Sequence, residues 1–227
     1  QDKWALKDPV SNFELFLLQE KVLNEDLIKQ IKEGFKADIQ RSFDEANSES
    51  AIVTSLTQEL SDLYAASSVE VIAPTGESKE LRFIDAIQEG LSQSMERHPN
   101  LVLMGQDIAE YGGAFKVTEG FVEKFGKDRV RNTPLCESAI VGAGLGLSIS
   151  GMKAMVEMQF ADFVTCGFNQ IINNLAKIHW RWGQQADVVV RMPTGAGTAA
   201  GPFHSQSNEA WFTHTPGLKV VYPSNPF

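Results

Sequence analysis

Residues 133–163 read TPLCESAIVGAGLGLSISGMKAMVEMQFADF and hold the densest set of groups able to do chemistry. Glu137 follows a predicted strand and precedes a run of small residues that includes Gly142, Gly144, Gly146, Ser148, Ser150 and Gly151. Two roles compete for its carboxylate. It can stabilise the free N–H groups where a helix starts at Ser138. Alternatively, it is a partly buried acid or base at the carboxyl end of a parallel sheet, where ligands of α/β folds collect. The small residues predict a helix packed very close to a second backbone or a ligand. The GAGLG string is not a dinucleotide fingerprint, because it lacks the full glycine spacing and the acidic residue that would follow for a ribose. Two further groups stand out. Phe160 and Phe163 flank Asp162, and His204 follows a glycine- and alanine-rich stretch at 194–201. Taken alone, Phe160 reads as core, Phe163 as core or as a stacking platform, and a lone His more often as structural than catalytic.

These groups need a scaffold, and the rest of the chain predicts one. Residues 101–104 form a continuous apolar run ending in Gly105, as a buried parallel strand should. Residues 129–132, 154–158 and 187–192 read as further strands, the last one buried, and 218–222 as a final one. Phe83, Ile84, Ile87, Leu91 and Met95 mark an amphipathic helix, and residues 163–180 carry a long apolar face through Phe168, Ile171, Ile172, Leu175 and Ile178. Strands alternating with helices give a parallel α/β sheet. Gly112-Gly113 marks a loop at the sheet's edge, and residues 194–201 predict a mobile loop.

The N-terminal part has a different pattern. Asp8-Pro9 is a helix start, with Asp as cap and Pro at the first helical position. Asn24 opens a second helix in which Leu27, Ile28, Ile31, Phe35, Ile39 and Phe43 recur every three or four residues, a stripe that reads as core packing. Residues 1–50 are therefore expected to be a helical segment, 51–78 a linker with room for one short helix near 52–64, and 79–227 the α/β domain. Ser67, Ser68, Pro74, Thr75 and Gly76 give the linker its composition, and 69–73 is too short to classify.

Composition narrows the classes. At 227 residues, with 43% hydrophobic and 22% charged residues, the chain is an ordinary globular one, and a net charge of −9 disfavours nucleic-acid binding. No apolar run approaches the ~20 residues needed to span a membrane. Cys136 and Cys166 form no metal or redox motif, which agrees with reduced thiols in a cytoplasmic enzyme.

Six blocks carry a resemblance: LVLMGQDIAEYGGAFKVTEGF, DRVRNTPLCESAIVGAGLG, MVEMQFADF, NQIINNLAK, RMPTGAG and GPFHSQSNEAWFTHTPGLKVVYPS. In this order they resemble the pyrimidine-binding domain in the β part of thiamin-diphosphate-dependent 2-oxo acid dehydrogenases, the first components of the pyruvate and branched-chain complexes. The segment from Lys7-Asp8-Pro9 through residues 13–44 resembles, more loosely, the tail of the α part. An α tail directly before a β domain implies a fused α–β polypeptide, and a chain opening on Gln1 agrees with a piece of one.

The resemblance implies a thiamin-diphosphate-binding α/β fold and assigns roles. Glu137 matches the glutamate that exchanges a proton with the cofactor's pyrimidine nitrogen, a role that calls for a dry pocket. Phe163 matches the aromatic platform for that ring, with Leu135 and Gln159 at neighbouring contacts. His204 matches the β-chain active-site histidine, which steers the 2-oxo acid or the lipoyl group and moves protons during acyl transfer. The Gly-Asp-Gly and later Asn that hold magnesium and diphosphate in this superfamily are not found, and in the family they belong to the α part. The implied partners are thus an α-type phosphate-binding domain, a lipoyl domain and a second copy of the chain. The resemblance also implies a structural potassium held by backbone carbonyls, one near Val188. The rival readings are a transketolase-like or acetoin-cleaving thiamin enzyme, and a non-catalytic assembly module.

Overall fold

A computed structural model of the chain describes residues 2–67, 73 and 76–225. Ser68, Pro74, Thr75 and most of 69–73, expected in the linker, lie outside the described residues. The chain forms two compact units, Gln1–Thr54 and Ser55–Phe227.

The first unit is helical. A short turn α1 (Asp2–Ala5) precedes α2 (Pro9–Gln19) and α3 (Glu25–Ser48). Both starts follow the predicted cap chemistry. The Asp8 carboxylate accepts from the Ser11 backbone N–H at 2.9 Å with Pro9 in the first turn, and Asn24 Oδ1 accepts from Leu27 N–H at 2.8 Å. The Ser11 hydroxyl, donating to the same carboxylate, is the main cause holding Asp8 below the ordinary carboxylate range. The apolar stripe departs from expectation. No residue of α2 or α3 is buried, and Phe35, Ile39 and Phe43 are 64%, 70% and 63% exposed. Two helices have too little mass around them to enclose a stripe of this length.

The second unit is the α/β domain. Its elements are α4 (Leu56–Asp62), α5 (Phe83–Arg97), β1 (Leu101–Gly105), α6 (Phe121–Phe125), β2 (Val130–Asn132), α7 (Glu137–Ile149), β3 (Lys153–Glu157), α8 (Ile178–Trp182), β4 (Val188–Arg191) and α9 (Ala210–Thr213). The four strands are all parallel, in the order β2-β1-β3-β4. Successive strand residues point to opposite faces, so the sheet carries two cores. Val102, Met104 and Val156 pack with Ile140, Val141 and Leu145 of α7 on one face. Leu101, Leu103 and Met155 pack with Met95 of α5, Phe121 of α6 and Val130 on the other. A parallel sheet covered on both sides explains why β1 is a continuous apolar run, buried at every position.

Three expectations change. The strand predicted as buried at 187–192 is β4, an edge strand with Val189 58% exposed. Residues 218–222 form no strand. Their β-branched content suits one, but among the described residues no neighbouring strand supplies a hydrogen-bonded ladder. The long apolar face at 163–180 is broken into a 3₁₀ turn (Ala161–Gly167), a π-helical turn (Gln170–Leu175) and α8. The break seats the first turn against α7. A Cβ on Gly167 would lie 3.3 Å from the Glu137 carbonyl oxygen and from a Val141 methyl.

Candidate functional site

The strands point their carboxyl ends the same way, and residues leaving those ends form the candidate site. Gln106 and Asp107 follow β1, Glu137 opens the helix after β2, Glu157 ends β3 and Arg191 ends β4. The loop after β1 is fixed by three observations. Asp107 takes a left-handed backbone with φ of 56°, the Ala109 N–H donates to Asn132 Oδ1 at 2.8 Å, and the Thr118 hydroxyl donates to the Ile108 carbonyl at 2.6 Å. That frame aims Gln106 across the sheet.

Glu137 is the first helical residue of α7 and is 7% exposed. Its Oε1 accepts from Gln106 Nε2 at 3.0 Å, a contact between two buried side chains. Cys136, at the N-cap, makes no side-chain cap bond, and Glu137 is the acid of the first turn of α7, where the helix start favours its charge. Close behind it, Gly144 lets α7 approach the sheet, since a Cβ there would meet Val156 Cγ1 at 2.9 Å and Val188 Cγ1 at 3.4 Å. Of the small residues, Gly144 makes its close approach to side chains of β3 and β4, Gly142 faces Gln170, and Gly146 faces open space.

A second group is aromatic. The rings of Phe160 and His204 lie 4.8 Å apart at 89°, and those of Phe163 and His204 5.4 Å apart at 79°. Phe115 joins through Phe160 at 5.5 Å. Phe160, expected as core, is instead half-buried and one wall of this cage. It leaves the sheet next to β3, so its ring turns toward the loop crossing the strand ends. Gln159 links the two groups: its Nε2 donates to Asp107 Oδ2 at 3.4 Å, beside Gln106. Leu135 touches neither group in these bonds and is 81% exposed. His214 is exposed, with Nδ1 3.1 Å from the Ala210 carbonyl in its own helix end.

Three polar groups have no role assigned from the sequence. Gln106 is one. Its signal was its place directly after a buried strand, at the ligand-collecting end of the sheet. The second is the pair Glu157–Arg191. Glu157 is 2% exposed and Arg191 Nε donates to its Oε2 at 3.2 Å, tying the ends of β3 and β4. The third is Asp162, 8% exposed, with Oδ2 buried and unbonded. Among the described residues, no group of three or more His, Cys, Asp or Glu side chains is placed to hold a metal ion. None of the described helices is long and apolar enough to cross a membrane. A cleft of about 560 Å³ runs along β4, lined by Tyr64, Val188, Val190, Phe212 and Leu218 among others, and shares no residue with this site.

A doubly covered parallel sheet with a buried acid and an aromatic cage at its carboxyl ends defines an α/β ligand-binding domain. The chain belongs to the family of transketolase pyrimidine-binding domains, whose family model, "Transketolase, pyrimidine binding domain", matches residues 79–227. It is similar to 2-oxoisovalerate dehydrogenase subunit beta of Bacillus subtilis (strain 168), 46% identical over 149 residues, covering 65% of this chain and 46% of that protein. The mitochondrial 2-oxoisovalerate dehydrogenase subunit beta 2 of Arabidopsis thaliana is 44% identical over 163 residues, covering 70% of this chain and 45% of that one. The chloroplastic pyruvate dehydrogenase E1 component subunit beta-2 of the same plant is 40% identical over 165 residues, covering 72% and 40%. The chain spans less than half the length of each of these relatives.

Proposed function

We propose that this chain supplies the aminopyrimidine half of a thiamin diphosphate site in a 2-oxo acid dehydrogenase acting on pyruvate or a branched-chain 2-oxo acid. The observation that carries this is Glu137, a carboxylic acid buried at the carboxyl end of the sheet and held by one oxygen only through a neutral amide. The names of its β-subunit relatives support the reaction class. The residues present suit a flat heteroaromatic ring. Beyond the strand ends stand one buried acid, a half-buried Phe163, the exposed Leu135 and a buried Thr133 hydroxyl oxygen with no partner among the described residues.

When bound, thiamin diphosphate supplies the nucleophilic carbon that decarboxylates a 2-oxo acid. Gln106 donates to Glu137 Oε1 and so leaves Oε2 as the oxygen that would hold the pyrimidine nitrogen's proton. Burial excludes water that would otherwise compete for that proton. Phe163 would hold the ring by stacking, with Leu135 and Gln159 as further contacts. His204, gripped by two aromatic rings, would orient the 2-oxo acid or the incoming lipoyl group and carry a proton during acyl transfer. The phosphate-binding half, with its magnesium, is assigned to an α-type domain. Residues 1–50 are read as the tail of such a domain in a fused polypeptide, 51–78 as the linker and 79–227 as the β-type domain. A structural potassium near Val188 and a two-fold pairing of chains belong to the same reading, and the free thiols of Cys136 and Cys166 agree with a cytoplasmic setting.

The test is to supply the phosphate-binding half and assay a panel of 2-oxo acids with a lipoyl domain as acceptor. Thiamin-dependent decarboxylation with lipoyl acylation is the expected outcome. Turnover of sugar phosphates or acetoin instead would favour a transketolase-like or acetoin-cleaving enzyme. No turnover with any substrate would leave an assembly module.

A further inference from the structure

We propose that Asp162 and Asn208 form a buried latch that positions His204 in its aromatic cage. The functional consequence rests on the role given above to His204; the latch itself does not. His204 lies on an irregular segment, and its own ring contacts are to Phe160 and Phe163. Apolar ring contacts alone fix a loop poorly, because they are weakly directional. The directional bonds come from two buried side chains on either side of the cage. Asp162 Oδ1 accepts the Gln206 backbone N–H at 3.3 Å, two residues beyond His204. Asn208, 4% exposed, donates from Nδ2 to the Ala161 carbonyl at 2.8 Å. Ala161 and Asp162 stand in the chain between Phe160 and Phe163. The two bonds therefore tie the His204 segment to the very turn that carries the rings.

The far side of the segment is fastened as well. The Gln206 carbonyl accepts from Thr194 Oγ1 at 2.8 Å and from Gly195 N–H at 3.2 Å, while Ala161 N–H donates to the Pro193 carbonyl at 2.8 Å. Gln206 thus sits between Asp162 and the residues after β4, with both of its backbone groups engaged. Asp162 is a costly residue to bury, since its Oδ2 has no partner among the described residues. An apolar residue of similar volume would avoid that cost but could not accept from Gln206. The carboxylate is explained if holding this loop is its task, which makes Asp162 and Asn208 positioning residues.

The experiment uses the 227-residue chain, with the His204 imidazole NMR signals assigned by their loss in His204→Gln. In the wild type those signals are displaced by the Phe160 and Phe163 ring currents. Asp162→Asn keeps an acceptor oxygen of the same shape, so the displacement stays. Asp162→Leu removes both acceptors at similar volume. The His204 signals then move to the position of a free imidazole and amides of 201–208 exchange faster, while amides of β1 and β3 stay protected. Should Asp162→Leu not fold, Asn208→Ala cuts the other half of the latch and predicts the same release. A folded Asp162→Leu or Asn208→Ala with unmoved His204 signals would overturn the proposal. In the complete enzyme, Asp162→Leu should lower turnover by about 10²-fold, with no further loss when combined with His204→Ala. Release of His204 in the spectra while His204→Ala keeps full turnover would support the latch and refute the role given to His204.

Discussion

At the scale of single residues, the candidate site is a set of short polar tethers on buried acids. Gln106 and Glu137 depend on each other, since each is the other's buried partner across 31 positions of sequence. Replacing Gln106 with Leu should leave Glu137 buried without its donor, and an unsatisfied buried polar group costs about 1–3 kcal/mol. Thermal unfolding of the Gln106→Leu chain should show that loss. An unchanged melting temperature would mean that water replaces the amide without penalty. The residues that were legible in the sequence, Glu137, Phe163 and His204, lie inside blocks whose residue types announce chemistry. Gln106 and Asp162 were not legible, because nothing about a Gln after a strand or an Asp between two phenylalanines says what it will reach. Their partners are fixed by the sheet register and by the path of the 201–208 loop, and both are tertiary facts.

At the scale of elements, strand order and helix approach decide what the sequence pattern could only outline. β1 was legible because burial on both faces leaves an unbroken apolar run, and β3 because Ala154, Met155 and Val156 are apolar in succession. β4 has the same composition, yet it sits at an edge, and composition does not record whether a neighbour is present. The run at 163–180 has helical periodicity, but the contact of Gly167 with the first turn of α7 sets a tighter local path. Gly144 is the corresponding close contact between α7 and the sheet. Gly144→Val should push α7 from Val156 and Val188 and destabilise the domain by about 1–3 kcal/mol, measurable by denaturant titration. Full stability would show that the helix is free to shift. The opposite side of α7 presents Ser138, Ala139, Ala143 and Gly146 to solvent. These small residues allow a close approach by another chain, and we expect the protein to self-associate through this helix. Sedimentation at micromolar concentration should then report a species larger than one chain, and a strict monomer would contradict it.

At the scale of the whole molecule, the α/β unit and the helical unit have different characters. The first encloses two cores, and the second leaves its apolar stripe exposed. The family match extends over 79–227 and the relatives are more than twice the length that this chain covers, so the proposed reaction belongs to a larger assembly. If the diphosphate and metal contacts lie in another domain, the 227-residue chain should bind thiamin diphosphate weakly or not at all, even with magnesium present. Tight binding by calorimetry would refute a split site. The central claim is that Glu137 trades a proton with the cofactor, and Glu137→Gln in the complete enzyme tests it most directly. Gln keeps the shape and can still bond the ring nitrogen, but it cannot exchange a proton with it. The account predicts a fall in 2-oxo acid decarboxylation of about 10²–10⁴-fold with the melting temperature nearly unchanged. A variant that melts earlier, by an amount matching the roughly 0.3–1 kcal/mol of a charge at a helix start, yet turns over at the wild-type rate, would contradict it.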